Sequence, residues 1–269
     1  MARLETMFDV RGKSVIVTGG ASGIGRAYAE IMAEQGAKVC IFDIDPDGLA
    51  KTVAEIGGDS WGQTVDVGDR PAMAAAFDAV ADRHGGIDTV FANAGIDPGP
   101  GFMTVEGERF PDGAIENIPD DQWDRGIEIN LTSVYTTVKN AVRHMKPGKG
   151  GEIIVTSSIA GLINESIVGT SYMPAKAAVN HFVRHMAMEL GAYGIRVNAI
   201  LPGPFITNIA GGRLRNKADR AAFEAQSLIG RIGDVEDIKG LALLLASPAG
   251  AYFTGSLIVI DGGALNRMT

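Results

Sequence analysis

The sequence predicts an α/β fold, a doubly wound parallel sheet with helices on both faces. Three observations carry that prediction. Short β-branched runs alternate along the chain with longer stretches of helical apolar spacing. The runs are nearly continuous in apolar character rather than alternating, so both faces of the sheet must be covered, which implies parallel strands wrapped by helices. The 36 glycines fall singly or in pairs at the ends of those runs, where turns belong. At 269 residues and 28.1 kDa the chain can bury a full core and remain one domain, 1–269.

The expected strands, in order, are 14–17, 38–43, 88–92, 152–156, 196–201 and 256–260; each is short and rich in Val, Ile and Phe. Helical spacing of apolar residues marks 25–34, 70–83, 119–145, 171–193 and 235–246. The helix over 171–193 should begin near Ser171, because Pro174 tolerates only a first-turn position. Two segments break the rhythm. Residues 96–116 form a long Gly/Pro/Asp-rich connection, and 208–228 a polar, partly helical excursion. Long irregular segments in a compact domain are often binding loops, so both are candidates for substrate recognition, with an oligomer contact as the alternative for 96–116.

Composition narrows the function. A net charge of −8 and a pI near 5.0 offer no basic surface for a phosphate backbone, which argues against nucleic acid and for a small-molecule partner. The lone cysteine, Cys40, sits inside an apolar run and reads as a buried small hydrophobe. The mixed, charged N-terminus has no signal-peptide pattern, and no segment reaches the roughly 18 apolar residues of a membrane span. The expectation is a soluble, cytoplasmic protein with no membrane partner.

Chemistry concentrates at strand ends. Thr18-Gly19-Gly20-Ala21-Ser22-Gly23-Ile24-Gly25 follows the first strand and opens the first helix, where glycines let the backbone approach a pyrophosphate and the helix start favours negative charge. Asp43, followed by Ile44, closes the second strand, where a carboxylate can accept hydrogen bonds from ribose hydroxyls and would repel a 2′-phosphate. No Arg or Lys stands within 42–47, so NAD is favoured over NADP. Tyr172 and Lys176 stand one helical turn apart on one face. A tyrosine working as a base near neutrality needs its pKa lowered by roughly 2 to 3 units, about 3 to 4 kcal/mol. An ammonium about 4 Å away contributes on the order of 4 kcal/mol at an effective dielectric of 20, so Lys176 is expected to depress the phenol.

Together these residues resemble the short-chain dehydrogenase/reductase family, over about residues 10–263. Thr18–Gly25 is similar to its T-G-x-x-x-G-x-G cofactor turn, Asp66-Val67 to its adenine-contacting pair, and Asn93-Ala94-Gly95 to its N-A-G motif. Asn130 matches the asparagine that holds a water in a proton relay to the active-site lysine. Ser158 matches the serine that hydrogen-bonds the substrate oxygen; its separation from Tyr172 is one residue longer than usual, which implies an insertion around 164–168 and leaves Ser157 as the alternative. Pro202, Gly203, Phe205 and Thr207 lie in a segment similar to P-G-x-x-x-T, which orients the nicotinamide. The resemblance implies a Rossmann-like, NAD-dependent oxidoreductase acting on a secondary alcohol or ketone, with Asn130, Ser158, Tyr172 and Lys176 as catalytic residues, and a homotetramer.

The alternatives are an NADP-dependent 3-oxoacyl-thioester reductase, or a regulator that keeps the nucleotide fold without turnover. His181 and His185 have a spacing that could hold a metal, but no third ligand presents itself and no metal is expected. Arg213, Arg215 and Lys217 form a small basic cluster in the 208–228 excursion that either contacts an anionic substrate or is simply solvated, the solvated reading being preferred. Phe102, Met103, Phe110, Phe205, Ile206, Ile209 and Leu214 suggest an apolar pocket for a cyclic, aromatic or sugar-like hydroxyl compound.

Overall fold

Every predicted apolar run is a strand of one parallel sheet in the computed structural model, which describes residues 4–105, 107–148 and 150–268. The elements run α1 (Leu4–Met7), β1 (Ser14–Thr18), α2 (Gly23–Glu34), β2 (Lys38–Asp43), α3 (Pro46–Ile56), β3 (Trp61–Thr64), α4 (Arg70–His84), β4 (Thr89–Ala92), α5 (Asp120–Ile127), α6 (Ser133–Met145), β5 (Gly151–Thr156), α7 (Tyr172–Leu190), β6 (Ile195–Pro202), α8 (Lys217–Gln226), α9 (Glu236–Ala246), β7 (Leu257–Ile260) and α10 (Leu265–Met268). The strand order is β3-β2-β1-β4-β5-β6-β7. Chain direction away from the centre reverses between β1 and β4, and that switch point opens a crevice beyond the strand ends.

The continuous apolar strands divide their side chains between two cores. Ile16 of β1 and Ile153 and Val155 of β5 join one cluster with Phe77, Val138 and Val183, under α4, α6 and α7. Val15, Val17 and Ile154 point the other way, into a cluster with Tyr28, Met32 and Leu245 under α2 and α9. Both faces are therefore buried, as the unbroken hydrophobicity requires.

Three elements differ from expectation. The strand β3 and helix α3 were not anticipated. β3, Trp-Gly-Gln-Thr, pairs only with β2 at the sheet edge and carries no β-branched run. α3 begins at an Asp45 carboxylate that accepts from Gly48 N, with Pro46 in its first turn. The helix expected over 119–145 is two helices joined by a π turn, Glu128–Thr132.

The 96–116 segment doubles back on itself. Thr104 N donates to Glu108 O at 2.8 Å and Phe110 N to Phe102 O at 2.9 Å, forming a tight hairpin. That hairpin leans on the loop before α7: Gly101 N donates to Ile167 O at 3.3 Å and Met103 N to Ser166 O at 3.1 Å. After β6, the turn Ile209–Arg215 and α8 build a roof. Leu214, Phe223 and Ile232 form a third, small cluster there, with Ile167 and Ile206 packed against it.

Candidate active site

A cleft of about 720 Å³ opens at the switch point, and the two excursions reach it through Asp97 and Gly99 on one side and Asn208, Ile209 and Leu214 on the other. Its floor is the turn after β1. Gly19 has a φ of +65°, and a Cβ there would stand 2.8 Å from Ala94 Cα, so only glycine fits. A Cβ on Gly25 would collide with the Gly19 carbonyl and the Asn93 amide. The turn thus holds the start of α2 flush with the cleft, and the Ser22 hydroxyl does not cap that helix, which leaves its first N–H groups for an anion.

Asn93 ties three strand ends together. Its Nδ2 donates to Thr18 O at 3.1 Å and Gly19 O at 3.2 Å, while its Oδ1 accepts from Thr156 Oγ1 at 3.0 Å. The Asp43 carboxylate accepts from Ala21 N at 2.9 Å and Asp45 N at 3.1 Å, which fixes it at the rim. Gly19, Ser22, Gly23, Ile24, Gly25, Asp43, Ile44, Asp66, Val67, Asn93, Ala94, Gly95, Pro202, Gly203, Phe205 and Thr207 all line this one cleft. A free helix start, a glycine floor and an acidic rim fit an extended dinucleotide.

Ser158, Tyr172 and Lys176 meet at the same cleft. Tyr172 opens α7, its N–H donating to Gly169 O at 3.0 Å. Ser158 hydrogen-bonds the Tyr172 hydroxyl and also accepts from Ala160 N at 3.1 Å. Ser157 is turned inward, its hydroxyl donating to Lys176 O at 3.3 Å. Of the two serines, Ser158 is therefore the one that meets the tyrosine.

The expected effect of Lys176 on the phenol needs correction. Its ammonium donates to Thr156 O at 3.0 Å and lies 5.4 Å from the centre of the Tyr172 ring. Burial pushes the Tyr172 hydroxyl up to about 12, the Ser158 hydrogen bond opposes this, and the charges of Glu165 and Asp97 add to it. Burial also draws the Lys176 ammonium down to about 8. In the protein alone desolvation outweighs the lysine.

Asn130 is completely buried in the π turn and does not line the cleft. Its Nδ2 donates to Gly126 O and Ile96 O, both at 3.1 Å, and its Oδ1 accepts from Ile96 N at 3.2 Å. At the other end of the π turn, the Ser133 hydroxyl donates to Ile129 O at 2.6 Å. Between Asn130 and Lys176 lies Gly95: a Cβ on it would stand 3.1 Å from Asn130 Oδ1 and 3.7 Å from Lys176 Nζ. The glycine keeps that gap open.

Two cleft residues, and one carboxylate in the loop before Tyr172, escaped the sequence reading. Arg125 lines the cleft and pairs with Asp66 at 3.5 Å and Glu128 at 2.8 Å, a convergence that only the fold creates. Thr156 acts through its backbone carbonyl, which no sequence pattern reports. Glu165 lies in the loop before α7, where burial raises its carboxyl pKa. Arg215 and Lys217 are exposed, and the side chain of Arg213 falls outside what the structure describes. Among the described residues no three His, Cys, Asp or Glu gather as a metal site, and no helix is long and apolar enough to cross a membrane.

Comparison with known proteins agrees with this geometry. A family model described as enoyl-(acyl carrier protein) reductase matches residues 19–265. The chain is 37% identical to L-rhamnose 1-dehydrogenase (NAD(P)(+)) of Sphingomonas sp. (strain SKA58) over 262 residues, covering 94% of this chain and 96% of that protein. It is 36% identical to cis-4-hydroxycyclohexanecarboxylate dehydrogenase of Sinomonas cyclohexanicum, covering 92% and 94% respectively. The crystal structure of a short-chain type dehydrogenase/reductase from Mycobacterium marinum superposes with a TM-score of 0.85 at 36% identity, over 96% of this chain and 97% of that one. With the Rossmann-like sheet, the glycine floor and the serine–tyrosine pair at one cleft, the chain belongs to the short-chain dehydrogenase/reductase family of oxidoreductases.

Proposed function

We propose that this protein oxidises a secondary hydroxyl of a sugar-like or cyclic compound to the carbonyl, with NAD as hydride acceptor and Tyr172 as the proton-transfer residue. The observation that carries this reading is the Ser158–Tyr172 hydrogen bond at the mouth of a cleft floored by the free start of α2. Bound oxidised nicotinamide would supply the hydride-accepting carbon and a positive charge.

The chain's own residues do the rest. The Ser158 hydroxyl donates to the reacting oxygen and steadies it as it becomes a carbonyl. Tyr172 takes the hydroxyl proton. With its pKa at about 12, reaching neutrality requires a fall of roughly 5 units, or about 7 kcal/mol, so the lysine cannot supply all of the stabilisation and the charge accompanying the cofactor must share it. Lys176, held by Thr156 O, is placed to bind a ribose hydroxyl and to pass the proton on towards Asn130 through the gap that Gly95 leaves. Asp43 favours NAD, because its carboxylate is fixed at the rim by two backbone donors and no cation stands within 42–47 to receive a 2′-phosphate.

The test is spectrophotometric. Purified protein with NAD should form reduced nicotinamide on a panel of sugar-like and cyclic secondary alcohols, and Tyr172→Phe should lose at least about a thousandfold in kcat. If NADPH and a 3-oxoacyl thioester turn over faster, the reductase alternative replaces this reading; if NAD binds without any turnover, the regulator does. We also propose the homotetramer implied by the resemblance, with the exposed Trp123, Tyr135 and Met188 of α5, α6 and α7 as contact residues; light scattering decides it.

A further inference from the structure

The 96–116 segment reaches the cleft through Ile96, Asp97 and Gly99, and among the described residues its hairpin is not on the cleft wall. The hairpin meets instead the residues just ahead of Tyr172. Pro100 and Val168 form an antiparallel bridge, and the Gly101 and Met103 N–H groups donate to Ile167 O and Ser166 O. We infer that this segment is a brace for the proton-transfer residue, and that Gly101, Gly126 and Gly169 are positioning residues that fix the first turn of α7.

The contacts run without a break from the hairpin to the tyrosine. A Cβ on Gly101 would collide with Ser166 O, so the pairing there depends on glycine. Gly169 presses on the same segment: a Cβ on it would stand 2.6 Å from Gly99 O and 3.0 Å from Pro98 Cγ. Gly169 O in turn accepts from Tyr172 N at 3.0 Å, so one residue belongs both to the brace and to the helix start. From the other side, a Cβ on Gly126 of α5 would collide with Ser171 Oγ and stand 3.0 Å from Pro98 Cβ. Pro98 is thus buried between Gly126 and Gly169, and Ser171, the residue before Tyr172, is 4% exposed. A first-turn residue has no preceding helical turn to hold it, so its place is set by what packs against the chain ahead of it. The Ser158–Tyr172 hydrogen bond joins two separate pieces of chain, the end of β5 and the start of α7, and a displacement of about 1 Å in such an arrangement costs on the order of a hundredfold in rate.

The inference rests on the proposed alcohol oxidation, and the experiment separates the two. Gly101→Ala and Gly126→Ala attack the brace from opposite sides. In each, kcat should fall at least about tenfold on cyclohexanol and on a pyranose alike, with KM and NAD affinity within about threefold of wild type. The pH at which kcat reaches half its plateau should rise, because the weakened Ser158 hydrogen bond no longer holds the phenol's pKa down. Ser171→Gly removes the atoms that a Gly126→Ala methyl would meet, so the double variant should recover kcat to within about threefold of Ser171→Gly alone. Amide hydrogen exchange over 163–173 should quicken at least about tenfold in Gly101→Ala while β4 and β5 keep their protection. A raised pyranose KM with unchanged kcat overturns the inference and makes the hairpin a pocket wall. Failure of Ser171→Gly to restore Gly126→Ala overturns it too, as does unchanged exchange. A wild type that binds NAD and turns over no alcohol overturns the alcohol reading alone, and the exchange rates then decide the brace.

Discussion

The Lys176 ammonium donates a hydrogen bond to the Thr156 carbonyl at 3.0 Å, so the end of β5 rather than the tyrosine holds the buried charge in place. That charge costs stability. The folded-state pKa of about 8 lies below the ordinary 10.5, so at pH 7 the lysine is charged in both states and the penalty is complete; as pH rises from 8 to 10.5 the folded protein sheds the proton first and the penalty disappears. Lys176→Met is expected to abolish turnover yet stabilise the fold at pH 7 by roughly 1–3 kcal/mol, with the difference shrinking by pH 9.5. Urea unfolding at both pH values checks this; a difference independent of pH would contradict it.

Asp43→Asn keeps an acceptor for Ala21 N and removes the charge at the rim. Its kcat/KM with NAD should fall about tenfold while that with NADP rises, on the order of 1–2 kcal/mol in each direction. Steady-state kinetics with both cofactors measure the ratio, and an unchanged ratio would remove Asp43 from cofactor selection.

Gly95→Ala puts a methyl 3.1 Å from Asn130 Oδ1 and 3.7 Å from Lys176 Nζ, a fit that small adjustments can absorb. The fold should survive and NAD should bind within about threefold of wild type. On the proposed proton route, turnover should drop by about tenfold to a hundredfold, because the methyl fills the gap between Lys176 and Asn130. Calorimetry beside kcat distinguishes this from a general loss of the cofactor site.

At the far end of the sheet, the Trp61 indole donates to His84 Nε2 at 3.0 Å. An indole N–H only donates, so Nε2 is bare, the proton is on Nδ1 facing Ser14 Oγ at 2.9 Å, and the imidazole is neutral. Burial, then the charges of Lys38 and Arg83, lower its pKa below 6.5. Since the unfolded chain binds this proton more readily, stability is complete above about pH 6.5 and declines as pH falls through it. The Tm of His84→Gln should lack that acid slope, and Trp61 fluorescence in the wild type should change over the same range.

The sequence disclosed what depends on side-chain type at regular spacing. Strand runs, the glycine turn, Asp43 and the Tyr172–Lys176 pair could all be read because each owes its position to local rules of packing and turn geometry. β3 escaped because an edge strand with one neighbour needs little hydrophobicity, and Trp61-Gly62-Gln63-Thr64 has little. α3 did carry a signal, Asp45-Pro46 as cap and first turn, but in cap chemistry rather than in apolar period. The break between α5 and α6 comes with buried side chains bonded to backbone, Asn130 to Gly126 and Ile96 and Ser133 to Ile129, and the hairpin at 100–110 depends on pairing with a loop more than fifty residues away. The tyrosine pKa was misjudged for the same reason. Spacing fixed which charge was near, while enclosure, which belongs to the whole fold, decided the sign.

Leu214, Phe223 and Ile232 adhere to one another and to Ile167 and Ile206, apart from the two cores that hold the sheet. The roof therefore has a cohesion of its own, distinct from the two clusters that hold the sheet. It can be rewritten separately. A lineage that alters these few contacts changes which molecule is admitted, yet inherits the hydride chemistry beneath unaltered.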